Sequence, residues 1–500
     1  MDREKLLLER LKNYRDSGRY PFHMPGHKRQ DKGFLREFPN PFSIDITEIE
    51  GFDNLHHPEG ILRESMEWAA RIYGADKSYY LINGSSGGIL SAICGTVPPG
   101  GKIIIARNCH KSAYHGVILN NLKTEAIYPQ IVEKLWINGE ISANNVEKVL
   151  DDHSDVKAVM VVSPTYEGIV SNIHEIAKIV HKKKIPLIVD EAHGAHFSVE
   201  GMGNQETGGS GIRKDRLFPI SAIQCGADIV IQSLHKTLPS FTQTGILHVK
   251  KGYVDVDRLE WYLQVFQSSS PSYVWMAGIE RCIFEMAEYG KDYFEKFGKR
   301  LIKLRKSLKK MKYLSLLDKD GEMESGMYDL DLSKIVVSCK NMFLGGAELG
   351  RRLREEYNLE MEMCGVDYVV AITTFLDTQE GLDRLEYAFL EIDRKMDSAE
   401  NVKDHEERIK REIQCNDHLL SVMTLGEAMQ REWEEKLISD CIGRISAEFV
   451  YLYPPGIPII LPGERITEKI VRQIDDYKKM RLLVQGMADD KGEYLRVCKK

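Results

Sequence analysis

Ile229-Val230-Ile231-Gln232-Ser233-Leu234-His235-Lys236-Thr237-Leu238 joins a short β-branched run directly to a lysine flanked by hydroxyls and an imidazole. Such a run predicts a buried strand, and the lysine then stands just past its carboxyl end, where open α/β sheets bind ligands. A second run, Leu187-Ile188-Val189, delivers Asp190 in the same manner into Asp190-Glu191-Ala192-His193-Gly194-Ala195-His196-Phe197. Taken singly, Lys236 reads as a surface lysine at a strand-to-loop junction and Asp190 as a helix cap. Taken together, they set an amine and a carboxylate at two strand ends.

Outward from these two, residues 60–250 alternate helix-like stretches with short apolar runs, among them Lys102-Ile103-Ile104-Ile105, Ala158-Val159-Met160-Val161-Val162 and Gly245-Ile246-Leu247-His248-Val249. This pattern predicts an α/β fold with a largely parallel sheet covered by helices. Polar groups follow the runs, as in Arg107-Asn108-Cys109-His110-Lys111-Ser112 and Ser163-Pro164-Thr165-Tyr166-Glu167-Gly168. Residues 276–312 read as one long helix whose basic end is a solvated face, and 313–400 as a smaller α/β unit. Residues 401–440 are highly charged with a helical period, and 448–464, with four prolines, read as edge strand or loop. The glycine-rich stretch 201–211 reads as a mobile loop.

The chemistry follows from the residue types. A lysine that bonds a carbonyl carbon must be poised to shed its proton, and a carboxylate facing a pyridine nitrogen keeps that ring protonated, so that it draws in electrons. Lys236 and Asp190 meet both needs, which points to pyridoxal 5′-phosphate (PLP). Asn83-Gly84-Ser85-Ser86-Gly87-Gly88 precedes an apolar helix-like run, so its amides and hydroxyls suit a phosphate at a helix amino terminus. A Gly/Ser turn with a capping serine has the same letters. His110, just past a strand, suits stacking on an aromatic ring or a purely structural role. Two rivals come from other classes. Asp190-Glu191-Ala192-His193 coincides with an ATPase box, but no nucleotide P-loop pattern occurs in the chain. A metal-dependent hydrolase using Asp190, His193 and His196, with His56 and His57, leaves Lys236 and the glycine-serine loop unexplained.

Composition narrows the classes further. Five hundred residues with 43% hydrophobic content exceed one compact core and predict two or three domains. A formal net charge of -7 leaves no basic field to recruit nucleic acid. No apolar run of about 18 residues occurs, and the amino terminus reads as a charged helix start rather than a signal peptide, so no membrane partner and a cytoplasmic location are expected. The nine cysteines are scattered without Cys-x-x-Cys spacing, which argues against a disulfide frame and a zinc knuckle.

These motifs, in this order, resemble the bacterial PLP-dependent ornithine/lysine/arginine decarboxylases, whose fold is of the aspartate aminotransferase type. The resemblance runs nearly end to end. It adds His23-Met24-Pro25-Gly26-His27-Lys28, Asn54-Leu55-His56-His57-Pro58-Glu59-Gly60, Ser269-Ser270-Pro271-Ser272-Tyr273 and Tyr453-Pro454-Pro455-Gly456-Ile457-Pro458 to the motifs above. It implies that Lys236 bonds the cofactor, Asp190 pairs with the pyridine nitrogen and His110 stacks on the ring. It further implies phosphate contacts from Ser85, Ser86, Gly87 and Ser233, with His193 and His235 beside the cofactor and His235 a candidate proton donor. Ser269 is similar to a residue that reaches the phosphate of a neighbouring subunit's cofactor, which implies active sites shared in a homodimer or higher homo-oligomer. Glu464 is similar to a position near the distal charge of a basic substrate.

The implied architecture is an amino-terminal segment (1–50), a PLP-binding large domain (51–275), a linking helix with a small α/β domain (276–400) and a carboxyl-terminal α+β domain (401–500). The implied reaction is decarboxylation of arginine or lysine, with ornithine a further substrate, to agmatine or a diamine in polyamine metabolism. Another PLP reaction on the same fold, such as transamination or aldol cleavage, is the alternative. Acid-induced members of the family carry an amino-terminal wing that builds large rings. Here the His-Met-Pro-Gly-His-Lys motif begins at residue 23, so the short form and a dimer or tetramer are expected.

Overall fold

The computed structural model describes residues 7–133, 135–197, 199, 216–319, 325–340, 344–396, 419–489 and 491–500. Its centre is a seven-stranded sheet. In chain order the strands are β1 (Lys77–Leu81), β2 (Lys102–Ala106), β3 (Lys123–Ile127), β4 (Val156–Val162), β5 (Leu187–Asp190), β6 (Ile229–Gln232) and β7 (Gly245–Val249). Their spatial order is β1-β7-β6-β5-β4-β2-β3. Only β7 runs against the others, pairing antiparallel with both β6 and β1. The expected parallel sheet is present, and β4, β5 and β6 are buried almost throughout because helices cover both faces.

Two strands carry no apolar run. The β3 strand, Lys-Thr-Glu-Ala-Ile, lies at the sheet edge, where charged side chains meet water and discourage pairing with another chain. The β1 strand forms the other edge, and its partly buried positions, Lys77 and Tyr79, carry polar groups, so its periodicity is weak.

The long helix spans Tyr273–Leu308, its amino end capped by the Ser272 side chain. Ile279, Ile283, Met286, Phe294, Phe297, Leu301 and Leu304 lie buried along it and join the core of the following unit. That unit is an antiparallel four-stranded sheet (Ser315–Leu316, Lys334–Ser338, Tyr368–Ile372, Met363–Cys364) with helices Gly346–Glu356 and Gln379–Lys395. The helical expectation for 401–440 holds only for Leu425–Gln430 within the described residues. Trp433–Leu437 is instead a strand paired with Tyr494–Cys498, and its charged residues sit on a solvated two-stranded ribbon. In the proline-rich stretch, Ile457–Ile460 is an edge strand as expected, but proline-free Val450–Leu452 is the middle strand of three. The segments 1–5 and 201–211 fall outside the described residues. No helix among the described residues is long and apolar enough to cross a membrane.

A buried charge cluster ties the small unit to the large one through Asp331 and His196. Lys334 Nζ donates to Asp331 Oδ2 at 3.0 Å, and both side chains are fully buried. Asp331 Oδ1 accepts from Ser333 Oγ at 2.7 Å and lies 3.2 Å from His196 Nε2. Burial alone would raise the Asp331 carboxyl, but Lys334 and His196 outweigh it and hold the group well below the usual carboxylate range. Its contribution to stability is therefore present above the ordinary aspartate pKa of about 3.9 and is lost as pH falls through the lower folded value. Removing one partner strands the other charge in the interior. Asp331→Asn is expected to lower the urea unfolding free energy by about 3 kcal/mol at pH 7, with the deficit narrowing below about pH 4.

Candidate active site

Parallel pairing brings the functional residues to one sheet end. Asp190, the last residue of β5, lies opposite Val162 of β4 and Ile231 of β6. Immediately past β6, Ser233 opens the single helical turn Leu234–Thr237, which carries His235 and Lys236. Three residues after Asp190, in the turn that follows β5, His193 presents its imidazole to Lys236, with Nε2 and Nζ 2.9 Å apart. Burial lowers the Lys236 pKa, opposed by Asp190 and Glu362. Burial raises that of Asp190, opposed by Lys236. The amine is thereby eased toward the uncharged form that bonds a carbonyl carbon.

The surrounding histidines are held neutral. Burial, then Lys236, pushes His110 down to about 3, and burial brings His235 to about 4. His110 caps helix Lys111–Leu119, its Nδ1 accepting from Ser112 N at 3.2 Å, so the ring proton belongs on Nε2. His235 donates from Nδ1 to the Thr244 carbonyl at 2.8 Å, which fixes the opposite tautomer. His193 lies far below its ordinary pKa through burial and Lys236, and its Nδ1 is buried with no partner among the described residues. Tyr166, after β4, packs against the His193 ring with centroids 4.3 Å apart and the planes tilted by 53°.

A cradle for an anion completes the group. Helix Gly84–Thr96 begins with Ser85, Ser86 and Gly87, and Ser233 Oγ donates to Ser85 Oγ at 2.8 Å. The bond brings the helix amino terminus and the lysine turn together. Amine, carboxylate, orphaned imidazole nitrogen and hydroxyl-lined helix end match the donor set PLP requires.

Other expected residues lie elsewhere. Ser269 is exposed in the loop after helix Val256–Phe266 and makes no hydrogen bond to this group among the described residues. Glu464 is buried against the chain's own Arg107, with Oε2 3.1 Å from Nη2 and 2.7 Å from Leu461 N. The metal alternative disperses: His193 faces Lys236, whereas His196 faces Asp331. No trio of His, Cys, Asp or Glu suited to a metal ion occurs among the described residues. Glu191 turns away from the site and accepts from Ser221, Ala222 and Gln232.

Sequence reading missed two neighbours. Tyr166 stood in a motif noted only as polar, and Glu362 reads as an outward residue of a short alternating strand. Yet Glu362 accepts from Met24 N at 2.8 Å and from the Tyr166 hydroxyl.

A family model described as Orn/Lys/Arg decarboxylase, major domain, matches residues 6–324, and one described as Orn/Lys/Arg decarboxylase, C-terminal domain, matches residues 413–487. The arginine decarboxylase of Halalkalibacterium halodurans is 34% identical over 488 residues, covering 96% of this chain and 94% of that protein. That of Bacillus subtilis is 33% identical over 495 residues, covering 98% and 97%. In fold, the chain is similar to lysine decarboxylase A from Pseudomonas aeruginosa, with a TM-score of 0.74 at 20% identity, covering 98% of this chain and 81% of that one.

The His23–Lys28 motif has a mechanical explanation. Gly26 N donates to the His235 carbonyl at 2.7 Å, and Thr374 Oγ1 donates to the Gly26 carbonyl at 2.9 Å. The loop thus clamps the lysine turn. A Cβ at Gly26 would stand 2.7 Å from Leu238 O and 2.8 Å from Leu238 N, so only glycine permits this approach. Gly26→Ala is expected to shift the Lys236 turn and, by misplacing a reacting group, to cut activity about a hundredfold. Activity assays and cofactor absorbance on the purified variant check this.

Proposed function

Because the chain belongs to the Orn/Lys/Arg decarboxylase family, and so decarboxylates a basic amino acid with PLP, we propose that its substrate is L-arginine and its products agmatine and carbon dioxide. Arginine decarboxylases at 34% and 33% identity over nearly the whole chain support this choice. The observation that carries the site is the contact of Lys236 Nζ with His193 Nε2 at 2.9 Å beyond the β5 and β6 ends.

PLP, when bound, supplies an aldehyde that bonds an amine and a pyridinium ring that accepts the electron pair left by departing carbon dioxide. On this reading Lys236 supplies the amine that holds the cofactor, its proton weakened by burial. Asp190, buried and within the same sheet end, keeps the ring nitrogen protonated. His110 supports the ring face, and Gly456 leans on that imidazole from the carboxyl-terminal hairpin: a Cβ there would lie 3.0 Å from His110 Cδ2. Ser85, Ser86, Gly87 and Ser233 receive the phosphate at the helix amino terminus. His193 orients the lysine amine, and His235, neutral at physiological pH, is positioned to hold a proton near it.

The domain division at residues 50, 275 and 400 belongs to the same proposal. The separate cluster of Cys441, Val450, Ile460, Ile466, Ile470, Ile474, Leu495 and Val497 supports a carboxyl-terminal unit with its own core. Exposed Ser269 suits contact with a neighbouring subunit, so we assign a homodimer or higher homo-oligomer, in the cytoplasm, in polyamine biosynthesis.

Purified protein with arginine should release carbon dioxide and agmatine, and its visible cofactor band should vanish on borohydride treatment. Lys236→Ala should abolish the band, and its persistence would overturn the assignment. Asp190→Ala should retain weakly bound cofactor while turnover falls about a hundredfold or more.

A further inference from the structure

Four basic side chains are buried among the described residues: Lys28, Arg107, Arg305 and Lys334. Three of them meet a carboxylate, Arg107 with Glu464 at 3.1 Å, Arg305 with Asp318 at 3.2 Å and Lys334 with Asp331 at 3.0 Å. Lys28 is different. It is 1% exposed, and no aspartate or glutamate forms an ion pair with it among the described residues. A buried charge of this kind is costly unless each of its protons finds an acceptor.

Backbone carbonyls are those acceptors. Lys28 Nζ donates to the Ile372 carbonyl at 2.6 Å, to that of His23 at 3.1 Å and to that of Pro21 at 3.2 Å. Three acceptors use the three donors of an ammonium, whereas a neutral amine has only two. Burial lowers the Lys28 pKa, opposed by Asp377 and Glu362, and hydrogen bonds to the charged form act in the same sense as those carboxylates. The backbone of Lys28 has a φ of +55°, a left-handed conformation that residues other than glycine keep where their surroundings over-determine it.

The three carbonyls come from two parts of the chain. Pro21 and His23 lie in the amino-terminal segment, and Ile372 ends the strand Tyr368–Ile372 of the small unit. Gly26 sits between them, its amide on the His235 carbonyl at 2.7 Å and its own carbonyl receiving Thr374 Oγ1 at 2.9 Å. We infer that Lys28 is a positioning residue, a built-in monovalent cation whose carbonyl ligands fasten the His23–Lys28 loop to the small unit and so hold the turn that carries Lys236. Backbone carbonyls that replace a hydration shell also hold free monovalent cations. Removing the side chain should therefore leave a site for ammonium or potassium. The inference rests on Lys236 as the lysine that bonds the cofactor.

The test compares the holoenzyme with its Lys28→Ala and Lys28→Met variants in tetramethylammonium, ammonium and potassium chloride at one ionic strength. Wild-type turnover of arginine, and loss of the wild-type cofactor band on borohydride treatment, test the parent reading separately. In tetramethylammonium, which is too bulky for the carbonyl cage, both variants should lose about a hundredfold in turnover through misplacement of Lys236. Ammonium or potassium should restore Lys28→Ala saturably by about tenfold or more, the effect of one charged hydrogen bond. The same salts should raise the thermal unfolding midpoint of Lys28→Ala with its cofactor removed, as a ligand of the folded state does. Neither should rescue Lys28→Met, whose side chain fills the space without a charge. Unchanged turnover in Lys28→Met, equal rescue of both variants, or a folded Lys28→Ala with the same loss in all three salts would overturn the inference. Where Lys28→Ala does not fold in tetramethylammonium, its yield of soluble protein on refolding reads the same cage, and equal yields in the three salts would overturn the inference.

Discussion

The parallel register between β5 and β6 is the constraint on which the site depends. Because Ile231 lies opposite Asp190, the two strands end at one level, and the chain leaves both ends into the same space. Side chains there face a crevice rather than a neighbouring strand, so polar groups can be gathered without breaking the ladder. Any slip by one residue would turn Asp190 to the other face. The apolar burial of both strands opposes such a slip, since each buried aliphatic side chain contributes roughly 1.5–3 kcal/mol.

Burial then sets the electrostatics. The same exclusion of water that holds the sheet together disfavours charge on Lys236, His193, His110 and His235. Asp190 acts in the opposite sense on the lysine, and the balance leaves an amine that gives up its proton readily. The surrounding ion pairs are closed on themselves: Asp331 with Lys334, Glu464 with Arg107. The Arg107–Glu464 pair holds the carboxyl-terminal hairpin against the sheet, and the amine and the Asp190 carboxylate remain to meet what enters from outside.

Remote segments complete the site by backbone contact. Gly26 clamps the His235 carbonyl, Gly456 rests on His110, and Lys111 N donates to the Gly456 carbonyl at 3.1 Å. Motifs hundreds of residues apart thus act on the lysine turn and on the start of the Lys111–Leu119 helix. Gly26 is dictated by how closely two backbones approach, and Gly456 by its φ of +86° together with the His110 ring against it.

The chain itself determined the elements whose signal is local. Continuous β-branched runs mark β2, β4, β5 and β6 because both faces of those strands are covered, and the lysine and aspartate that follow them are visible as polar breaks. The glycine-serine helix start and the long Tyr273–Leu308 helix are legible for the same reason. Edge strands β1 and β3 and the ribbon strand Trp433–Leu437 were not, since a solvated strand bears polar residues that mimic loop or helix. Tertiary structure alone decided that Glu464 is spent on Arg107, that His193 and His196 part company, and that Glu362 meets Tyr166. Charge pairing depends on which remote groups folding brings within a few ångströms, and no local periodicity encodes that.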